Sequence, residues 1–362
     1  MGSDVALFAE SPLVAADDLP IHQTAETLGR PDTLHPRWTE RWYFNLQHAD
    51  GRLLGIVGGG FYPNSRLLEV YACLLDGPYQ HNLRQRVRTS DRSRLDLGDR
   101  VAFEVTEPMR SWKVSASGPA FALQLRYEAT HAPHLFPPFL VAADLPHRAG
   151  PGDYDAIQHF VQPGAVTGHV SVDRERDVGR LHSFRDRTWG VRSSRPRLHN
   201  WFVFHVPDGR YLTLIHQERA DGSQMVSHGA IVAADGSRTQ LVLDDHDLTF
   251  DGVSRLLRVA HYRGHDARGR RFRLAVTNTG EGVRLLGAGY ANAQWDASGG
   301  NAVESETFDL ADPDVVRRTG RGTIDSPASM DFEWDHGERM TGIGITESAI
   351  ARDHWRYGSQ LA

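Results

Sequence analysis

The run Trp201-Phe-Val-Phe-His-Val-Pro-Asp208-Gly209-Arg210-Tyr-Leu-Thr-Leu-Ile215 joins two apolar, aromatic-rich segments through an Asp-Gly pair. Asp-Gly supplies the positive φ that a tight hairpin turn demands, so the stretch reads as two antiparallel strands. An echo stands in the first half of the chain: Trp42-Tyr-Phe-Asn-Leu-Gln-His-Ala-Asp50-Gly51-Arg52-Leu-Leu-Gly-Ile56, one residue longer before its turn. A repeat at that separation points to a duplicated domain. Hairpin grammar is generic, so chance similarity is the competing explanation.

Working outward, the same grain recurs. Phe121, Leu123, Leu125 and Tyr127 alternate with Ala122, Gln124, Arg126 and Glu128, a period of two that fits a half-buried strand. Apolar runs at 240–243, 271–276 and 282–286 lie among further Asp-Gly pairs at Asp76, Asp221, Asp235 and Asp251. No long, well-capped amphipathic helix stands out, and the best short candidate is Asp312–Arg318, with Pro313 suited to a first turn. The expected class is all-β, built as antiparallel meanders. Proline and glycine between His134 and Gly152 mark a connection, which places a boundary near residue 150 and predicts domains at 1–150 and 151–362. The first 35 or so residues carry no clear period and are expected to extend the first domain.

Composition narrows the function classes. The chain has 362 residues, ample for two cores, with 40% hydrophobic and 24% charged residues. A net charge of −6 and no basic run interleaved with aromatics argue against nucleic-acid binding. Lys113 is the sole lysine, so a P-loop lysine is absent, and Cys73 is the sole cysteine, which removes disulfide and cysteine-cluster chemistry. The N-terminus lacks a basic region followed by an apolar run, and no segment reaches the roughly 18 apolar residues of a membrane helix. A cytoplasmic protein is the default expectation.

Three segments resemble a known group. Glu40-Arg41-Trp42-Tyr43-Phe44, Arg185-Asp186-Arg187-Thr188-Trp189-Gly190-Val191-Arg192 and Gly342-Ile-Gly-Ile-Thr-Glu347 resemble, in that order, the opening, central and closing motifs of the carotenoid 1,2-hydratase (hydroxyneurosporene synthase) superfamily. The resemblance spans residues 38 to 347 and implies two tandem lipocalin-like β-barrels. It also implies a class of reactions, hydration of isoprenoid double bonds or pericyclic ring formation, and it speaks to fold better than to reaction.

The candidate site residues follow from strand faces. His199, Trp201, Val203 and His205 share one face of their strand, while His216 and Glu218 share a face with Leu212 and Leu214. Were both polar sets to look into a lumen, a neutral carboxylic acid raised by burial could protonate an alkene. Aromatic faces could then hold the cation, and histidine or water could end the reaction. The opposite facing, with these polar residues in solvent, fits the periodicity equally well. Asp186, between two arginines, is expected to be ionised. It reads either as an anchor or donor beside a Trp189 wall, or as part of a buried Arg–Asp bridge under a tryptophan plug. In the first barrel Trp42 is a candidate wall, and Glu69 with Tyr71 a second acid pair or a paired rim carboxylate.

Several tempting signals are set aside. Gly55-Ile-Val-Gly58-Gly59-Gly60 has the wrong spacing for a dinucleotide loop, and no Gly-x-Ser-x-Gly elbow occurs. His261 and His265 have helical metal spacing in a strand context, and Asp244-Asp-His-Asp247 reads as a solvated turn with at most weak calcium affinity. No metal and no cofactor are assigned. The sequence therefore predicts a cofactor-independent lyase or isomerase, a hydratase or cyclase, acting on a hydrophobic isoprenoid or polyene. A pericyclase, a non-catalytic lipid or pigment carrier and a solid-packed scaffold are the alternatives.

Overall fold

The computed structural model describes residues 13–19, 24–25, 30–31, 38–89, 95, 97–142, 154–191, 196–287 and 300–362. The all-β expectation holds. Among the described residues the single α-helix, α1 (Pro313–Thr319), has Asp312 accepting from the Asp314 backbone N–H at its start, with Pro313 in the first turn, as its sequence predicts. No helix among the described residues is long and apolar enough to cross a membrane.

The chain divides into two compact units, residues 1–46, 54–194 and 287–308, and residues 47–53, 195–286 and 309–362. The division falls at Ser194, and the expected boundary near residue 150 lies outside the described residues. The reason is pairing. The strands at 154–171 and 181–191 join the first unit's sheet, the long 154–171 strand hydrogen-bonding to the 122–129 strand on one side and the 181–191 strand on the other.

The first unit holds a large sheet whose main run is β1 (Trp38–Gln47), β2 (Leu53–Tyr62), β3 (Leu67–Asp76), β4 (Tyr79–Arg88), β5 (Val101–Glu107), β6 (Ser111–Ser117), β7 (Ala122–Ala129), β8 (Tyr154–Ser171) and β9 (Leu181–Val191). They lie in the order β4-β3-β2-β1-β9-β8-β7-β6-β5. The two ends, β4 and β5, are bridged by a side chain: Gln85 Oε1 accepts from the Arg100 and Val101 backbone N–H groups at 2.8 and 3.2 Å. The enclosed core is aromatic. Phe44 meets Trp112 and Tyr127 edge-on at 5.4 and 5.2 Å, and Trp42 meets Phe103 at 5.5 Å.

The second unit is a closed eight-stranded antiparallel barrel. Its strands are β10 (Leu198–His205), β11 (Tyr211–Glu218), β12 (Gln224–Val232), β13 (Arg238–Phe250), β14 (Leu257–Asp266), β15 (Arg271–Asn278), β16 (Thr323–Trp334) and β17 (Arg339–Ile350). Each pairs with the next, β15 with β16 and β17 with β10, so no edge remains among these strands. Leu198, Phe202 and Phe204 face inward from β10, and Leu212 and Leu214 from β11.

The two echoed hairpins turn alike. Arg52 N and Nε reach Asp50 at 3.0 and 2.8 Å, and Arg210 N and Nε reach Asp208 at 3.0 and 2.8 Å. Gly51 and Gly209 take φ of 90° and 87°. Counted from these turns, Trp42 stands where Asn200 stands, and Gly58 and Gly60 stand where His216 and Glu218 stand. At these three positions the first unit thus lacks the polar side chains of the second barrel.

Candidate functional site

Those side chains gather at one end of the second barrel. His216 and Glu218 extend the inward row of Leu212 and Leu214, while Asn200 lies directly across from His216 on β10 and Ser348 across from Asn200 on β17. Tyr262 comes from β14 and His246 from β13. Strict alternation from Leu241 and Leu243 would turn His246 outward, but one extra residue, Asp244, interrupts the ladder and brings His246 opposite Tyr262. The stretch read from sequence as a solvated turn is therefore a bulged strand with a buried histidine in it.

The segment after β17 completes the site. Residues 351–362 close over this end, with the Trp355 N–H donating to the Ala220 carbonyl and the Gln360 side chain exchanging bonds with Leu248 and Phe250. This segment contributes His354 and Tyr357, both at most 2% exposed.

Glu218 is the hub. Its Oε1 lies 3.0 Å from His216 Nε2 and 2.6 Å from His246 Nε2, and its Oε2 lies 2.9 Å from His354 Nε2. Burial by itself would raise the Glu218 carboxyl, but the His216 and His246 imidazoles outweigh it and hold the group well below the usual carboxylate range. The sequence expectation of a raised, neutral acid is thereby reversed. Burial pushes His216 down, towards its neutral form, and pushes the Tyr262 and Tyr357 phenols up, so both stay protonated.

Tyr262 accepts from Asn200 Nδ2 at 2.9 Å, which leaves its own proton free to be donated. His216 Nδ1, Asn200 Oδ1 and Ser348 Oγ are buried without hydrogen-bond partners, and they belong to three consecutive strands in register. A row of unsatisfied polar atoms is costly in a barrel interior unless water or a ligand meets it. Ser326 and Thr346, bonded at 3.1 Å, and Ala328 keep the neighbouring wall small.

The other sequence candidates lie elsewhere. His199 and Trp201 face outward from β10, opposite in face to Asn200, so they do not join His216 and Glu218. His199 instead bonds Glu347 at 2.7 Å and Gln217 at 2.9 Å. In the first unit Trp42 fills the core. Glu69 and Tyr71 face away from that core, with Arg86 3.2 Å from Glu69.

Asp186 also parts company with its flanking arginines. It faces His159 at 3.6 Å, while Arg185 pairs with buried Asp18 and with Gln162 at 2.7 and 2.9 Å. A buried Arg–Asp bridge does form at Arg185, but with Asp18 in place of the Asp186 expected from the sequence, and Trp189 packs against Phe160 nearby. Open grooves of about 620 and 760 Å³ lie along β13–β16 among charged side chains such as Asp245, Arg263 and Arg273.

Sequence reading found two members of the cluster, His216 and Glu218, and missed His246, Tyr262, His354 and Tyr357. Tyr262 had a signal, since it alternates with Ala260 and Gly264 on an evident strand.

Comparison with solved structures supports the fold. A Nitrosomonas europaea protein named provisionally as AttH matches with a TM-score of 0.54 at 15% identity, covering 86% of this chain and 92% of that one. Kievitone hydratase from Nectria haematococca matches with a TM-score of 0.50 at 10% identity, covering 86% and 89%. At such identities the likeness is one of fold. No curated protein matches the chain in sequence. The domain of unknown function DUF7064 matches residues 23–295, which includes His216, Glu218, His246 and Tyr262 but stops short of His354 and Tyr357. The chain belongs to the DUF7064 family.

Proposed function

We propose that the second barrel is a hydratase-type lyase, adding water to, or removing it from, a double bond conjugated to a carbonyl in a hydrophobic substrate. The observation that carries this reading is an anionic carboxylate, Glu218, ringed by His216, His246 and His354 beside the protonated phenol of Tyr262. The apolar body of the substrate would lie among the inward leucines and phenylalanines, with its polar end at His216, Asn200 and Ser348.

The protonation states select the substrate class. Protonating an isolated isoprenoid alkene needs a strong neutral acid, and Glu218 is held ionised. A carbonyl-conjugated alkene needs less. Tyr262 donates to the carbonyl oxygen, water held at the imidazole–carboxylate cluster bonds to the β-carbon, and that water's proton passes to the cluster. The cluster's proton then passes to the α-carbon while the carbonyl-bound proton stays with, or returns to, Tyr262, so one water is consumed per double bond. A carrier is expected to have a wholly apolar interior, and the unpartnered His216, Asn200 and Ser348 atoms weigh against that.

Incubation of the full chain with hydrophobic enones in ¹⁸O-labelled water, followed by mass spectrometry, tests the reading. The expected product carries one labelled oxygen and falls at least about 100-fold in Tyr262→Phe, the scale of a lost acid–base group. Enones recovered unchanged, or a Tyr262→Phe protein as active as the original, would remove it.

A further inference from the structure

The Tyr357 hydroxyl lies 2.8 Å from His246 Nδ1 and 3.2 Å from the His246 carbonyl, a geometry that lets it accept from a protonated Nδ1 while donating to that carbonyl. With that tautomer His246 Nε2 turns a lone pair towards Glu218 Oε1, 2.6 Å away. A cation set between these two acceptors would serve both.

His354 is arranged differently. Its Nδ1 accepts from the Tyr357 backbone N–H at 3.3 Å, so its Nε2 carries the proton and donates to Glu218 Oε2 at 2.9 Å. That bond anchors one carboxylate oxygen and leaves Oε1 turned towards His216 and His246. One ligand atom from each of His216, Glu218 and His246 lies within 4.8 Å of the others.

We propose that His216 Nε2, His246 Nε2 and Glu218 Oε1 bind a divalent transition ion, with zinc the best match. Two imidazoles and one carboxylate, with a fourth position left for water, form a catalytic zinc ligand set. Tetrahedral bonds of about 2.0–2.1 Å place ligand atoms about 3.3 Å apart, so the two Glu218 contacts, at 3.0 and 2.6 Å, need to open by less than about 1 Å. The outer contacts are those that metal-binding histidines use. Tyr357 fixes the His246 tautomer, and His354 orients the carboxylate. On loading, the His216 proton moves to Nδ1, and Asn200, whose Oδ1 lacks a partner, stands directly across the ladder. Binding of the ion is independent of the hydratase reading; its part in catalysis, supplying the activated water, rests on that reading.

The test uses the full chain, stripped with chelator and dialysed, then titrated with Co(II) by visible absorption and with Zn(II) by calorimetry. One ion per chain is expected, with affinity lowered at least 100-fold in Glu218→Gln and His246→Gln. Tyr357→Phe, which keeps all three ligands, is expected to bind about 10–100-fold more weakly. Sub-stoichiometric binding overturns the site. So does unchanged affinity in Tyr357→Phe, which decides the matter if the ligand variants fail to fold. Enone hydration by the metal-free protein would overturn the ion's catalytic part while leaving the hydratase reading intact. One bound ion without hydration of any enone would overturn the hydratase reading, and the ion's catalytic part with it, while leaving the binding site intact.

Discussion

His246 stands across from Tyr262 because β13 carries one residue more than β14 between Leu243 and Asp245. The bulge reverses the alternation of β13 halfway along, so Leu241 and Leu243 face inward before it and His246, Leu248 and Phe250 after it. Deleting Asp244 removes the extra residue, so strict alternation then keeps Leu241 and Leu243 inward together with His246, Leu248 and Phe250. No large apolar side chain leaves the core, and the cost should stay below that of losing even one, about 1.5–3 kcal/mol. Urea unfolding monitored by fluorescence checks this, and a loss above about 3 kcal/mol would show that the barrel needs the bulge itself.

The segment carrying His354 and Tyr357 is seated through Trp355, whose ring lies over the Asp221-Gly222 turn. Gly222 has φ of +81°, and a Cβ there would fall 1.7 Å from Trp355 Nε1. Gly222→Ala should therefore strain the turn and lift the tryptophan, at about 1–2 kcal/mol. Limited proteolysis should cut after β17 sooner in the variant. Equal cleavage rates would mean that the segment is held without Trp355.

The Asp251 turn should give the second barrel an acid-sensitive corner. Hydrogen bonds from the Ser254 backbone N–H, from Arg258 and from the Ser254 hydroxyl hold the Asp251 carboxyl down at about 2, below the unfolded value of 3.8. A depressed carboxyl contributes stability that is complete above the unfolded pKa and lost as pH falls through the folded one. Wild type and Asp251→Asn should thus differ above about pH 4 and converge near pH 2. The group is about one-third exposed, so solvent screening keeps the difference small, below about 1 kcal/mol. A gap that widens with acid would contradict the assignment.

In the first unit, Arg185 is buried beside Asp18 and within 6 Å of the Trp112, Tyr127 and Phe160 rings. Arg185→Met leaves Asp18 charged and uncompensated and should cost about 3–5 kcal/mol. Adding Asp18→Asn should recover part of that loss, because the stranded charge is the expensive element. A double-mutant cycle on unfolding free energy measures the recovery, and strict additivity would show that the pair does not act as a unit.

Much of the fold was legible because its signals are local. An Asp-Gly pair needs only its own backbone to make a turn, and alternation over one strand needs only that strand. The shared face of His216 and Glu218 was legible for the same reason. Which face looked inward was not, since a period of two is symmetric between the sides of a sheet. That is why His199 and Trp201, one residue out of phase with Asn200, were grouped with residues they do not meet. The arginines at 185 and 187 and the acid between them diverge for the same cause.

The sequence by itself determined the strands, their turns, the duplicated hairpin and the absence of nucleotide-loop and cysteine-cluster chemistry, because each depends on neighbours along the chain. Only the tertiary structure decided the site. Its members come from β11, from a bulged β13, from β14 and from the segment beyond β17, brought together by barrel closure. Closure also set the charge of Glu218, since a carboxylate's ionisation depends on which donors surround it in space, and three of those donors are imidazoles distributed from position 216 to position 354.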